Sequence, residues 1–156
     1  MTTIAYRAGI MAADSGSWAG DASHGWAQKL AKGPDGTLYG VAGNAAQCEG
    51  FLQWVNEGCH GPYPQADREG TDGKDSSFIV LAVTPGGLIR MITARGEERY
   101  QGAPYYAIGA AAPVAFGALF AGATAEQALE AAKEHGYGAF GRIRTLDHTN
   151  HAGYQP

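Results

Sequence analysis

The sequence predicts an α+β fold: a four-layer αββα sandwich built as a single domain over residues 1–156. Paired short apolar runs with turn signals between them read as β-hairpins, and three longer segments read as helices, two of them opened by capping boxes. The 24 glycines stand singly at element ends, which favours tight turns over disorder. A chain of 156 residues matches one domain and is long enough to bury a substantial core.

Residues 3–6 and 10–13 read as strands joined by Arg7-Ala8-Gly9, a hairpin that returns Asp14 to the chain start. Pro34-Asp35-Gly36 marks a turn before a strand over 37–43. Residues 44–58 form a helix opened by Asn44-Ala45-Ala46-Gln47 as a capping box, with Cys48, Phe51, Leu52 and Val55 on one apolar stripe. The Gly-, Pro- and charge-rich stretch 61–76 is an exposed loop, too short to link two domains. Strands 77–83 and 88–93 flank the turn Thr84-Pro85-Gly86-Gly87.

Tyr105-Tyr106-Ala107-Ile108-Gly109 is a strand leading into a helix over 111–121. That helix is apolar nearly all round (Val114, Phe116, Leu119, Phe120), which predicts burial on several sides or an interface. Thr124-Ala125-Glu126-Gln127 caps the next helix, which Gly136 ends, and Ala128, Ala131 and Ala132 give it a face for close packing. Residues 140–145 read as a last strand, and 147–156 as a loose polar tail or one that crosses to a neighbour.

The chemistry concentrates at the chain start. Removal of Met1, expected through a methionine aminopeptidase, leaves Thr2 with a hydroxyl and a free α-amine on adjacent carbons. That pair is a nucleophile with its own base, since an α-amine titrates near 8. A buried Lys29 beside Thr2 would stabilise the alkoxide, and Asp14 would keep that lysine charged and oriented. Lys32, three residues on, reads as a solvated surface charge.

The layout Thr2-Thr3-Ile4, Ala12-Ala13-Asp14-Ser15, Lys29-Leu30 and Val41-Ala42-Gly43-Asn44-Ala45-Ala46 resembles the proteasome-type N-terminal nucleophile (Ntn) hydrolases. In particular it is similar to the small HslV-like bacterial peptidases, including versions carried by phages and prophages. The resemblance runs from Thr2 to about Leu146 and includes residues 105–109 and 123–128. It implies Thr2 as nucleophile, Asp14 as orienting carboxylate and Lys29 as the charge-stabilising cation. Gly43 would supply the oxyanion-hole N–H, and Val41 and Ala45, both small and apolar, would line a pocket for an apolar side chain. Gly43 suits that role independently, because N–H groups at a helix start are unpaired.

Three positions depart from the family pattern. Ala110 stands where a serine contacts the amine, and Gly16 where an arginine is common. His135-Gly136-Tyr137-Gly138 replaces an aspartate and a serine three residues apart. The trio stays while its polar support thins. The implied function is a threonine peptidase in a homo-oligomer, a ring or stacked rings, with an ATPase partner left open. The alternatives are an amidase acting on a small amide, or a structural or assembly protein on the same fold.

The net charge of −4, with only 11 Lys plus Arg and no basic cluster, argues against nucleic acid as a partner. No apolar run is long enough for a bilayer and no signal-peptide core opens the chain, so a cytoplasmic location and no membrane contact are expected. Cys48 and Cys59 read as reduced thiols, Cys48 on the buried face of its helix. Neither they nor His60, His148 and His151 have metal-site spacing, so no metal or cofactor is expected. Residues 136–141 are glycine-rich but follow a helix, which rules against a phosphate loop.

Overall fold

Ala8 and Gly9 both adopt positive φ, 51° and 84°, in the turn joining β1 (Thr3–Arg7) to β2 (Ile10–Ala13). Two left-handed central residues give a two-residue loop the twist of its strands. This computed structural model describes residues 1–19, 21–64 and 78–149. The chain continues through β3 (Ser17–Ala19), β4 (Ala22–His24), β5 (Leu30–Lys32), β6 (Leu38–Gly43) and helix α1 (Ala45–Asn56). There follow β7 (Phe78–Val83), β8 (Ile89–Thr93), β9 (Gly96–Tyr100) and β10 (Tyr105–Gly109). Helices α2 (Ala112–Phe120) and α3 (Ala125–His135) lead to β11 (Arg144–Asp147).

These strands make a four-stranded sheet in the order β10-β1-β2-β11, a five-stranded sheet β5-β6-β7-β8-β9, and the small β3-β4 hairpin. All of their pairings are antiparallel. Side chains alternate between the two faces of each strand, so each sheet feeds two cores. Ile4, Tyr6 and Met11 of one sheet join Leu38, Leu81, Val83 and Ile89 of the other in one buried cluster. Val41, Val80 and Ala82, on the other face of the five-stranded sheet, pack on Phe51, Leu52 and Val55 of α1. Ala5, Ala12 and Ala107 meet Ala115, Leu119, Ala128 and Leu129 of α2 and α3. Alanine on both sides lets these helices lie close to the sheet, as the Ala128 and Ala132 face predicts.

The caps form where the sequence places them. At Asn44 one arm of the expected box forms, its side chain accepting from the Gln47 N–H, while both arms of the Thr124/Gln127 capping box are present. Other expectations change. The last strand is 144–147 rather than 140–145, because Phe140 is spent on loop contacts near the chain start. The loose tail does not begin at Asp147: that residue pairs with Ile10, and His148 Nδ1 bonds the Gly36 carbonyl. Burial of α2 is one-sided, with Ala115 and Leu119 inside and Phe120 83% exposed. The loop expected over 61–76 and the tail beyond Thr149 fall mostly outside the described residues. No helix among the described residues is long and apolar enough to cross a membrane.

Candidate active site

The first hairpin aligns Thr3 with the end of β2, and Asp14 is fixed there by backbone. Asp14 N–H donates to the Thr3 carbonyl at 3.3 Å, and Thr3 N–H donates to Asp14 Oδ1 at 3.0 Å. The carboxylate is fully buried. Its Oδ1 also accepts from Lys29 Nζ at 3.0 Å, while Oδ2 accepts from the N–H groups of Gly16 and Phe140, both at 3.2 Å. Such a set of donors offsets the desolvation a buried carboxylate would otherwise suffer.

Lys29 is 7% exposed and precedes β5, which positions it. Its Nζ donates to Asp14 and, at 3.1 Å, to the carbonyl oxygen of Met1. Burial holds its pKa below the ordinary lysine value, with the charge and hydrogen bond of Asp14 pulling the other way. The expected contact to Thr2 takes a different form. Besides Asp14, the ammonium meets the carbonyl of the Met1–Thr2 peptide bond. Lys32 is not a solvated charge: its Nζ is enclosed and has no hydrogen-bond partner among the described residues.

The backbone around Thr2 is held from the other side. The Thr2 carbonyl accepts from Ala110 N–H at 2.8 Å, and Thr3 Oγ1 accepts from Ala111 N–H at 3.0 Å. Gly109, at φ 102°, makes this approach, since any Cβ there would overlap the Thr2 carbonyl. Thr2 itself is partly exposed and lines a cleft of about 920 Å³. Lys29, Val41, Gly43, Ala45 and Cys48 line the same cleft. Gly43 lies at the end of β6, exposed and at φ 119°, directly before the cap of α1. The structure therefore gathers all the sequence-predicted site residues, with Asp14 behind Lys29 rather than on the cleft wall.

At the positions where the sequence departs from the pattern it resembles, neighbouring groups fill the space. A side chain at Gly16 would overlap the Phe140 ring, which occupies the room an arginine would need. A Cβ at Gly138 would overlap that of Ala110 and come within 3.2 Å of Met1 Cβ. Gly138 and Ala110 thus close against each other beside the chain start without a hydroxyl, while His135 lies exposed at the end of α3.

Cys48 is half-buried and forms part of the cleft wall, not only of the helix's inner face. Burial pushes its thiol up to about 11, so it stays protonated at neutral pH. Sequence reasoning missed Thr3 and Phe140 as partners of Asp14, and missed the aromatic rim of the cleft: Trp18, His24 and Trp26. The Gly20-Asp21 turn signal between two short runs was the available clue to the β3-β4 hairpin that carries two of them.

This α+β arrangement is the proteasome-like Ntn-hydrolase fold. Among solved structures it matches Thiobacillus denitrificans BPH in complex with epoxomicin, at TM-score 0.63 and 18% identity, covering 96% of this chain and 99% of that one. A second structure of Thiobacillus denitrificans BPH matches at TM-score 0.61 and 17% identity, covering 95% and 98%. No family model matches the chain, and no curated protein matches it either. Likeness at this identity establishes the fold alone.

Proposed function

We propose that the chain is an N-terminal threonine peptidase on a four-layer αββα sandwich, acting after Met1 is removed. The carrying observation is that one buried ammonium, Lys29 Nζ, bonds both Asp14 and the acyl oxygen attached to Thr2 nitrogen. The three core clusters, helix on sheet, sheet on sheet and sheet on helices, support the layering.

In this reading Thr2 Oγ attacks the peptide carbonyl and its α-amine takes the hydroxyl proton, directly or through water. Lys29 lowers the cost of the negative charge that develops, and Gly43 N–H receives the oxyanion. The carbon–nitrogen bond breaks as the amine returns its proton to the leaving group. Water then hydrolyses the ester on Thr2 and regenerates hydroxyl and amine. Val41 and Ala45 accept an apolar side chain, and a cleft of about 920 Å³ suits a peptide better than a small amide. The working form is a homo-oligomeric ring that encloses Thr2.

A second reading, a structural protein on the same fold, is favoured by the packed Ala110–Gly138 contact, to which neither residue brings a hydroxyl. One experiment separates the two. Intact mass establishes whether Met1 is gone, and the Met1-free protein is assayed on short fluorogenic peptides beside Thr2→Ala. Turnover that vanishes in Thr2→Ala, with epoxomicin raising the melting temperature, is expected. A Met1-free protein with no turnover, or equal turnover in the alanine variant, overturns the peptidase reading.

A further inference from the structure

The cleft that starts at Thr2 runs along α1. Ala45, Cys48, Glu49, Leu52, Gln53 and Glu57 of that stretch form one side of it, spaced three and four residues apart as a single helical stripe. At about 1.5 Å per residue this wall is roughly 18 Å long, enough for about five residues of extended peptide. Near Thr2 the wall is small and apolar. Farther along it carries the carboxylates of Glu49 and Glu57.

The facing rim is aromatic. Trp18 and Trp26 line the cleft yet remain 52% and 72% exposed. Both are buttressed: Trp18 packs edge-on against Phe140 at 5.5 Å, and Trp26 stacks on His24 at 4.3 Å and 14°. The Trp26 N–H also donates to His24 Nδ1 at 3.3 Å. Exposed indoles held in place at a concave surface are the usual anchors of a binding site.

The charges decide what they anchor. Lys29 is already matched by Asp14, and the chain's α-amine stands at the Thr2 end beside Cys48, so Glu49 and Glu57 leave the rest of the cleft negative. An apolar segment would desolvate those carboxylates for nothing, and an acidic one would be repelled. A basic side chain gains from both features, lying over an indole while its charge faces a carboxylate.

We propose that this cleft selects an extended peptide carrying an arginine or lysine within a few residues of an apolar residue at Thr2. The proposal rests on the peptidase reading for the register at Thr2, but its test reads binding alone. Five blocked alanine pentapeptides, with arginine at each position in turn, are titrated into Thr2→Ala protein by tryptophan fluorescence, beside citrulline counterparts. Citrulline keeps the shape of arginine and removes its charge.

The best arginine peptide is expected to bind about three- to tenfold more tightly than its citrulline partner. That gap should close in Glu49→Gln/Glu57→Gln, and Trp26→Ala should weaken both peptides. These side chains are exposed, so circular dichroism should be unchanged. Equal affinity for arginine and citrulline, no binding of either, or unaltered affinity in Trp26→Ala overturns the proposal. Turnover by wild type without arginine preference would sink it and leave the peptidase reading standing. Arginine-selective binding without turnover would do the reverse.

Discussion

At Asp14, one carboxylate receives a lysine ammonium and three backbone N–H groups, from Thr3, Gly16 and Phe140. The two members of the ion pair are therefore unequal. Lys29→Met leaves Asp14 with its backbone donors, whereas Asp14→Asn leaves a buried ammonium without its counter-charge. The second change is expected to cost about 3–5 kcal/mol and the first clearly less, read from urea melts. Equal losses would show that the backbone donors contribute nothing. Lys29 also predicts a pH dependence. Its pKa is held below the ordinary 10.5, so the proton leaves earlier as pH rises. The alkaline limb of kcat/KM should then fall below pH 10.5, where that charge is lost. Between the folded and unfolded values the unfolded chain binds more protons, so this group's contribution to stability rises with pH while activity falls. An alkaline limb that follows an unshifted lysine would contradict the assignment. Asp14 was legible because it ends a short, strongly patterned strand, whereas Lys29 was legible only through the family resemblance, since the strand it precedes carries no clear pattern. The Phe140 contact was not, since nothing in a spacing of 126 residues announces it.

Among the elements, the segment around Phe140 explains why sequence and structure part company. Its ring fills the space over Gly16 and meets Trp18, and its carbonyl accepts the Ser15 N–H at 3.2 Å. A segment committed to these contacts cannot also be a strand, and β11 starts only at Arg144. Gly16→Ala should therefore destabilise the protein, and adding Phe140→Ala should restore part of the loss. The coupling between two touching groups is expected at about 1–3 kcal/mol, measured as a double-mutant cycle in urea. Strict additivity would mean the ring moves aside freely. In the first hairpin, Ala8 sits at φ 51°, where a side chain costs about 1 kcal/mol, so Ala8→Gly should raise the midpoint of unfolding. The strands that escaped sequence reading share a cause. β5 is three residues long, and β9 is an exposed charged edge (Glu97, Glu98, Arg99) without alternating burial. Charge at a sheet edge blocks pairing with another chain, so the pattern that hides the strand is the one that protects it.

For the whole molecule, that protected edge directs attention to the helical side. Apolar α2 buries Ala115 and Leu119 against the sheet and α3 but turns Pro113, Gly117 and Phe120 outward. Phe120 is 83% exposed and Tyr137, in the loop after α3, 77%. Large apolar side chains held at such exposure mark surfaces that another chain covers. A homo-oligomer is the expected state, and light scattering at micromolar concentration reads it directly. Phe120→Glu should reduce the mass toward the single 16.2 kDa chain while leaving circular dichroism unchanged. Activity should fall with it for a structural reason. Tyr137 adjoins Gly138, which packs against Met1 and Ala110 beside the chain start. A partner seated on Tyr137 would fix the loop beside the chain start, where the proposed nucleophile stands. Wild-type protein running as a lone 16.2 kDa species would defeat the assembly model. Full peptidase activity in a monomeric Phe120→Glu variant would detach assembly from catalysis.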